Sequence, residues 1–248
     1  MGDVPLDVDL KRPTIVLFDL DGTLVHHVNP RVLQALEFLD DCSHRAGRLV
    51  ARFRLMRRQR SGVPPKMPKL LMHRALHKVR RKSVEEMLEP CETLRAVLSR
   101  LREEGVVLGV VSNGLGRGYG HDVLEAFDLK KYFSAFVFRE DVSRGKPWPD
   151  SILAALDGIG RNVRQRDVIW YIGDQRKDVD AALAASAKLK RPVTPVALGP
   201  RAALRTLDGD CPNLQVMWSA SDLERHVAAL FPQPCADEAF GPFPVATA

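Results

Sequence analysis

The chain has 248 residues, of which 45% are hydrophobic and 27% charged, enough for one enzyme-sized core with a small second domain or a large insertion. That balance is too polar for a membrane-spanning protein, and no apolar run approaches the length of a transmembrane helix. The formal net charge of +6 is unevenly placed: 14 Lys or Arg and no Asp or Glu lie between Cys42 and Val84, which leaves the rest of the chain net acidic.

Residues 1–12 alternate acidic and apolar side chains without the basic start and apolar stretch of a secretory signal, so a cytoplasmic location is expected. The first strand signal is Thr14 to Asp19 (TIVLFD), a β-branched and apolar run that ends at carboxylates and a glycine. From Val28 to Glu89 the strand pattern disappears. Ala46, Leu49, Val50, Phe53 and Met56 recur at helical spacing, three prolines interrupt the interval from Ser61 to Lys69, and Leu70, Leu71, Leu76 and Val79 resume the period. The spacing predicts a basic helical subdomain inserted after the first strand.

Beyond the insert, a helix is expected over Cys91 to Glu104, with Leu94, Val97, Leu98 and Leu101 on one face and Gly105 as its stop. Short apolar runs follow at Val106 to Ser112, Ala135 to Phe138 and Val168 to Ile172, separated by helical stretches at Asp150 to Leu156 and Asp178 to Lys188. Thr194 to Leu198 and Leu214 to Trp218 add outer strands, Ser221 to Leu230 a closing helix, and the Pro-rich residues 232–248 a loose tail. Strands alternating with helices define an α/β fold with a parallel sheet. The expected organisation is a core from residues 1–27 and 90–231 around a cap at 28–89.

Four places carry chemistry. Asp19-Leu20-Asp21-Gly22-Thr23 stands where a buried strand ends, and in an open parallel sheet the ligand crevice lies at the carboxyl ends of the strands. Two acids one residue apart repel each other, and burying them is costly unless a hard cation such as Mg²⁺ compensates. Asp174 and Asp178, four apart at a helix start after another buried strand, reach the same side. Ser112-Asn113 and Lys146 (in RGKPWPD) add a hydroxyl and an ammonium from other strand ends.

Together FDLDGTL, VVSNG, GKPWPD and YIGDQRKD, in this order and each beside a strand, resemble the motifs of the haloacid dehalogenase (HAD) superfamily, specifically its phosphatase branch with a helical cap inserted after the first motif, similar to phosphoglycolate phosphatases. The resemblance implies a Rossmann-like, HAD-like core and a Mg²⁺-dependent phosphomonoesterase. By it, Asp19 is the nucleophile that takes the phosphoryl group and Asp21 the general acid and base. Ser112, Asn113 and Lys146 bind the phosphoryl oxygens, Ser112 and Lys146 serving catalysis. Asp19, the Asp21 main-chain carbonyl and Asp174 hold Mg²⁺, supported by Asp178 directly or through water. The dehalogenases of the superfamily lack an acid two residues after the nucleophile, so the presence of Asp21 argues against dehalogenation.

Other features weigh less. Gly114, Gly116, Gly118 and Gly120 match no dinucleotide or P-loop fingerprint and read as a flexible turn into the next helix. His26 and His27 could line the site entrance or be linker residues. Cys42, Cys91, Cys211 and Cys235 have no paired metal spacing and are expected as free thiols. The basic cap either steers anionic substrates or contacts an anionic partner such as nucleic acid, lipid or an acidic protein. A phosphomutase shares the same motifs, and a polyanion-binding protein with an incidental core is the reading from another class. The resemblance implies a small phosphorylated metabolite as the substrate.

Overall fold

The structure, a computed structural model, describes residues 11–27, 88–114, 116–208, 211 and 213–232. The helical pattern expected within 28–87, the tail beyond residue 232, Cys42 and Cys235 lie outside the described residues.

Six strands form one parallel sheet: β1 (Ile15–Phe18), β4 (Val107–Val111), β5 (Ala135–Val137), β6 (Ile169–Gly173), β7 (Val193–Leu198) and β8 (Gln215–Met217). Their spatial order is β5-β4-β1-β6-β7-β8. The chain runs outward from β1 through β4 to β5, then returns to the other side of β1 for β6. The crevice at the carboxyl end of β1 is therefore a topological switch point, where open α/β sheets bind ligands.

All four residues of β1 are buried, as expected of a central strand covered on both faces. Val16 and Phe18 point to one core with Leu108, Val110, Trp170 and Ile172. Helices α1 (Glu92–Glu103) and α6 (Ala220–Leu230) close that side with Leu94, Leu98, Leu101, Leu223 and Val227. Ile15 and Leu17 point to the other core, under α3 (Asp150–Gly158) and α4 (Arg176–Leu189), which contribute Ile152, Leu156, Ala181, Ala182 and Ala185. The period-two alternation of β1 thus feeds two cores at once. Two shorter helices, α2 (His121–Ala126) and α5 (Pro200–Ala203), complete the layers. Among the described residues no helix is long and apolar enough to cross a membrane.

Two short strands, β2 (Val25–His27) and β3 (Leu88–Pro90), pair antiparallel with Val25 opposite Pro90 and His27 opposite Leu88. The pairing brings His27 and Leu88, which flank the interval 28–87, side by side just after the Asp19–Thr23 loop. Leu88 and Glu89, which the sequence assigns to the insert, belong to this pair. Three-residue strands reading VHH and LEP show no alternation from which pairing could be foreseen. His26 lies exposed on β2.

Helix α4 lacks a terminal glycine, and Lys190 takes the left-handed conformation that glycine usually supplies, at φ 55°. Ser186 ties this end to β7: its hydroxyl lies 3.0 Å from the Ala182 carbonyl and 3.1 Å from the Val193 carbonyl, and accepts from the Val193 amide at 2.8 Å.

At the opposite end of the sheet, Asp167 joins the starts of β1 and β6. It accepts from the Thr14 hydroxyl at 2.9 Å, from Arg161 at 2.7 and 3.0 Å, and from the Arg164 amide at 2.6 Å. The Arg161 hydrogen bond holds its carboxyl well below the usual carboxylate range. Asp167→Ala should lower stability by about 1–3 kcal/mol, since several donors lose their partner. A depressed folded pKa stabilises above the unfolded value near 4 and ceases to do so as pH falls through the folded value. Thermal melts of the two proteins should therefore differ most at neutral pH and converge as the pH is lowered below about 4. A gap that stays constant into acid would show that the carboxylate is not the stabilising group.

Candidate active site

The strand ends deliver the chemistry. β1 continues past Phe18, with the Asp19 amide bonded to the Ile172 carbonyl at 2.8 Å, and β4 continues past Val111, with the Ser112 amide bonded to the Val137 carbonyl at 2.9 Å. Asp19 and Ser112 are thus held in the sheet's own register with their side chains at its carboxyl edge. Asp19, Ser112, Lys146 and Asp178 are all buried, which for groups of this polarity requires partners.

Lys146 is the hub. Its Nζ lies 2.6 Å from Asp19 Oδ1 and 2.6 Å from Asp178 Oδ1, and 3.4 Å from the Val111 carbonyl. Burial alone would depress the ammonium, but Asp178 and then Asp19 raise it well above the ordinary lysine value, so it stays charged. Asn113 places it: the Asn113 Nδ2 donates to the Lys146 carbonyl at 2.9 Å, and the Lys146 amide donates to Asn113 Oδ1 at 2.8 Å. The Asn113 side chain is thus spent on the lysine loop, and the group expected to reach the phosphoryl oxygens is its backbone N–H. The Lys146-Pro147 bond is cis.

Asp19 Oδ1 also accepts from the Leu20 amide at 2.8 Å. Burial, and then the charge of Asp178, push the Asp19 carboxyl up to about 8 against the pull of Lys146. Burial and Asp178 likewise push Asp174 up to about 6. Oxygens of Asp19, Asp174 and Asp178 lie within 4.8 Å of one another. Three carboxylates around one ammonium leave an excess of negative charge that a cation would relieve.

The donor set fits a hard divalent ion. Asp174 Oδ1 is buried with no hydrogen-bond partner among the described residues, and all the oxygens are carboxylate. Room is made by Gly22, where φ is +83° and an added Cβ would fall 2.4 Å from Asp174 Oδ2. Asp178 is more heavily engaged. Its Oδ1 meets Lys146 and the Tyr171 hydroxyl at 3.4 Å, and its Oδ2 caps the Gln175 amide at 3.0 Å. Gly173 leaves it space, since a Cβ there would come within 2.4 Å of Asp178 Cγ.

Asp21 stands beside this cluster. The Ser112 hydroxyl is 3.3 Å from its Oδ2 and itself accepts from the Gly114 amide at 2.9 Å. The Tyr119 hydroxyl donates to Asp21 Oδ1. Neither Tyr119 nor Tyr171 was foreseen. Tyr119 sits in the glycine-rich turn, and Tyr171 is one apolar-looking residue of a buried strand. Their hydroxyls acquire partners only when other chain segments arrive.

Two amides of the glycine-rich turn are taken by a carboxylate, which leaves them no part in binding phosphate. The amides of Gly116 and Arg117 already donate to Glu140, at 2.9 Å each. Burial alone would raise the Glu140 carboxyl, but these amide bonds bring it below its ordinary value. Cys91 and Cys211 are free thiols.

A parallel sheet with an inserted segment after β1 and acids at the ends of β1 and β6 defines a class. The profile of the haloacid dehalogenase-like hydrolases matches residues 16–190, and the chain belongs to that family. It stands with the phosphatases there, as a hydrolase of phosphoric monoesters. It is 30% identical over 198 residues to the phosphoglycolate phosphatase of Escherichia coli strain K12, covering 68% of this chain and 77% of the relative. The Salmonella typhi phosphoglycolate phosphatase matches to the same extent. A solved HAD-superfamily hydrolase from Ehrlichia chaffeensis shares the fold with a TM-score of 0.56 at 18% identity, covering 89% of this chain and 98% of that one.

Mg²⁺ should raise the melting temperature. At a concentration 100 times the Kd the gain is about 2.7 kcal/mol, or about 5–10 °C for a domain of this size. The shift should be larger near pH 8 than near pH 6, because Asp19 and Asp174 must give up protons to bind the ion. Asp174→Asn and Gly22→Ala should each remove most of it. An unchanged shift in both variants would place the cation elsewhere.

Proposed function

We propose that the protein is a Mg²⁺-dependent phosphatase that hydrolyses a small phosphomonoester through a phosphoryl group carried on Asp19. The observation that carries this reading is the meeting, at one strand-end crevice, of Asp19 and Lys146 at 2.6 Å with Asp174 and the Ser112–Asp21 pair.

Asp19 attacks phosphorus in line with the departing alcohol, dividing one difficult displacement into two. Asp21 protonates the alcohol oxygen and then takes a proton from the water that attacks the aspartyl phosphate. Lys146 and Ser112, with the backbone N–H of Asn113, hold the phosphoryl oxygens, where phosphoryl transfer needs charge stabilisation more than covalent help. Asp19, Asp174 and the Asp21 main-chain carbonyl would hold Mg²⁺, while Asp178, occupied by Lys146 and the Gln175 amide, steadies the cluster. When bound, the ion neutralises the carboxylates and draws charge from the phosphoryl oxygens.

The named relatives make phosphoglycolate the first substrate to try. The basic stretch between Cys42 and Val84 would concentrate such anions near the crevice. Cytoplasmic residence belongs to the same reading and accords with free thiols at Cys91 and Cys211.

Phosphate release should be measured over a panel of phosphomonoesters with and without Mg²⁺. Release by the native chain should stop on chelation and fall to background in Asp19→Asn, because the amide is too poor a nucleophile to take the phosphoryl group. Substantial turnover by Asp19→Asn would sink the covalent mechanism, and phosphate passed to a sugar instead of water would make the protein a mutase.

A further inference from the structure

The NGLGRGYG segment is too elaborately anchored for a plain connection. Glu140 grips the Gly116 and Arg117 amides, and the Gly114 carbonyl accepts from the Arg139 amide at 3.0 Å. Gly116 and Gly120 lie directly on the Phe138 ring: a Cβ would come within 2.6 Å of it at Gly116 and 2.2 Å at Gly120. Any side chain at either position would lift the turn from Phe138. What this close seating does is carry Tyr119 inward, where it is 8% exposed, and set its hydroxyl on Asp21 Oδ1.

The geometry points to Tyr119 as a positioning residue for the leaving-group step, fixing the orientation of the Asp21 carboxyl. The inference rests on the phosphatase reading above. The Tyr119 hydroxyl donates to Oδ1 and the Ser112 hydroxyl to Oδ2, so the plane of the carboxyl is held from two sides. As the phosphoryl group moves to Asp19, the ester P–O bond breaks and its electron pair stays on the alcohol oxygen. The proton passes from the Asp21 carboxyl to that oxygen, leaving Asp21 a carboxylate. Loss of the Tyr119 hydroxyl removes one of the groups that hold the carboxyl, so the proton is less well aimed at the alcohol oxygen.

Leaving groups of different basicity separate this role from general support of the fold. An alkyl ester such as phosphoglycolate needs its departing alkoxide protonated, whereas 2,4-dinitrophenyl phosphate releases a stable phenolate and needs no acid. Tyr119→Phe should lower kcat/KM for the alkyl ester by about tenfold or more, and change the dinitrophenyl ester by less than about threefold. Glu140→Gln, which weakens the grip on the turn without touching Asp21, should give the same selectivity at smaller size, and melting curves report whether each variant is folded. Equal change on both esters in folded variants, or no change on either, would overturn the role of Tyr119 alone. Failure of the native chain to hydrolyse either ester would overturn it together with the phosphatase reading.

Discussion

Lys146 is a buried ammonium between two buried carboxylates, 2.6 Å from each. A lone charge at that depth would be prohibitive, and a single ion pair would do little more than compensate its own desolvation. The second carboxylate changes the balance, because Asp19 and Asp178 together keep the lysine charged while remaining too negative to be satisfied by it. Asp174, pushed up to about 6 by burial and by Asp178, adds to the excess. The site is therefore organised around a deficit of positive charge, which suits a divalent cation. A neutral pocket would have been easier to fold and would have no reason to attract one.

Everything that brings these groups together comes from a parallel sheet whose order reverses at β1. Asp19, Ser112 and Asp174 follow three adjacent strands, and Lys146 arrives on the connection after β5. The sheet is rigid because β1 is buried on both faces, with alternate residues in two separate cores. That rigidity holds like charges a few ångströms apart instead of letting them relax. Glycines at 22 and 173 complete the arrangement by omission, each leaving the space in which an aspartate carboxylate sits.

Around the charged centre lies a layer of neutral positioning. Asn113 reads both backbone groups of Lys146, Tyr171 and the Gln175 amide bind Asp178, and Tyr119 and Ser112 bind the two oxygens of Asp21. Glu140 occupies the Gly116 and Arg117 amides, and the glycine-rich turn serves the site through Tyr119 and through the Gly114 amide on Ser112. The β2–β3 pair adjoins the nucleophile loop, with the Gly22 amide on the Val25 carbonyl and the Val25 amide on the Leu20 carbonyl.

The six sheet strands and the four longer helices were legible in the chain to within a residue or two, because each is a short apolar run or a helical stripe bounded by glycine, proline or a cap, whereas the short helices α2 and α5 carry too few residues to show a period. Asp19, Asp21, Ser112, Lys146 and Asp174 were legible as candidates because motif spacing ties each to a strand end. The β2–β3 pair was not, since three mixed residues carry no periodic signal. Nor was the work of Tyr119, Tyr171, Glu140 or the Asn113 side chain, which bond to groups far away in the sequence or to backbone atoms whose position no residue type announces. The sequence by itself determined which groups reach the carboxyl edge of the sheet, because local pattern and topology follow from hydrophobic periodicity. Only the tertiary structure decided which carboxylate holds the lysine, which is left with a buried unpaired oxygen, and which accepts a tyrosine, because hydrogen bonds and desolvation depend on distances of a few ångströms between segments that the chain order keeps apart.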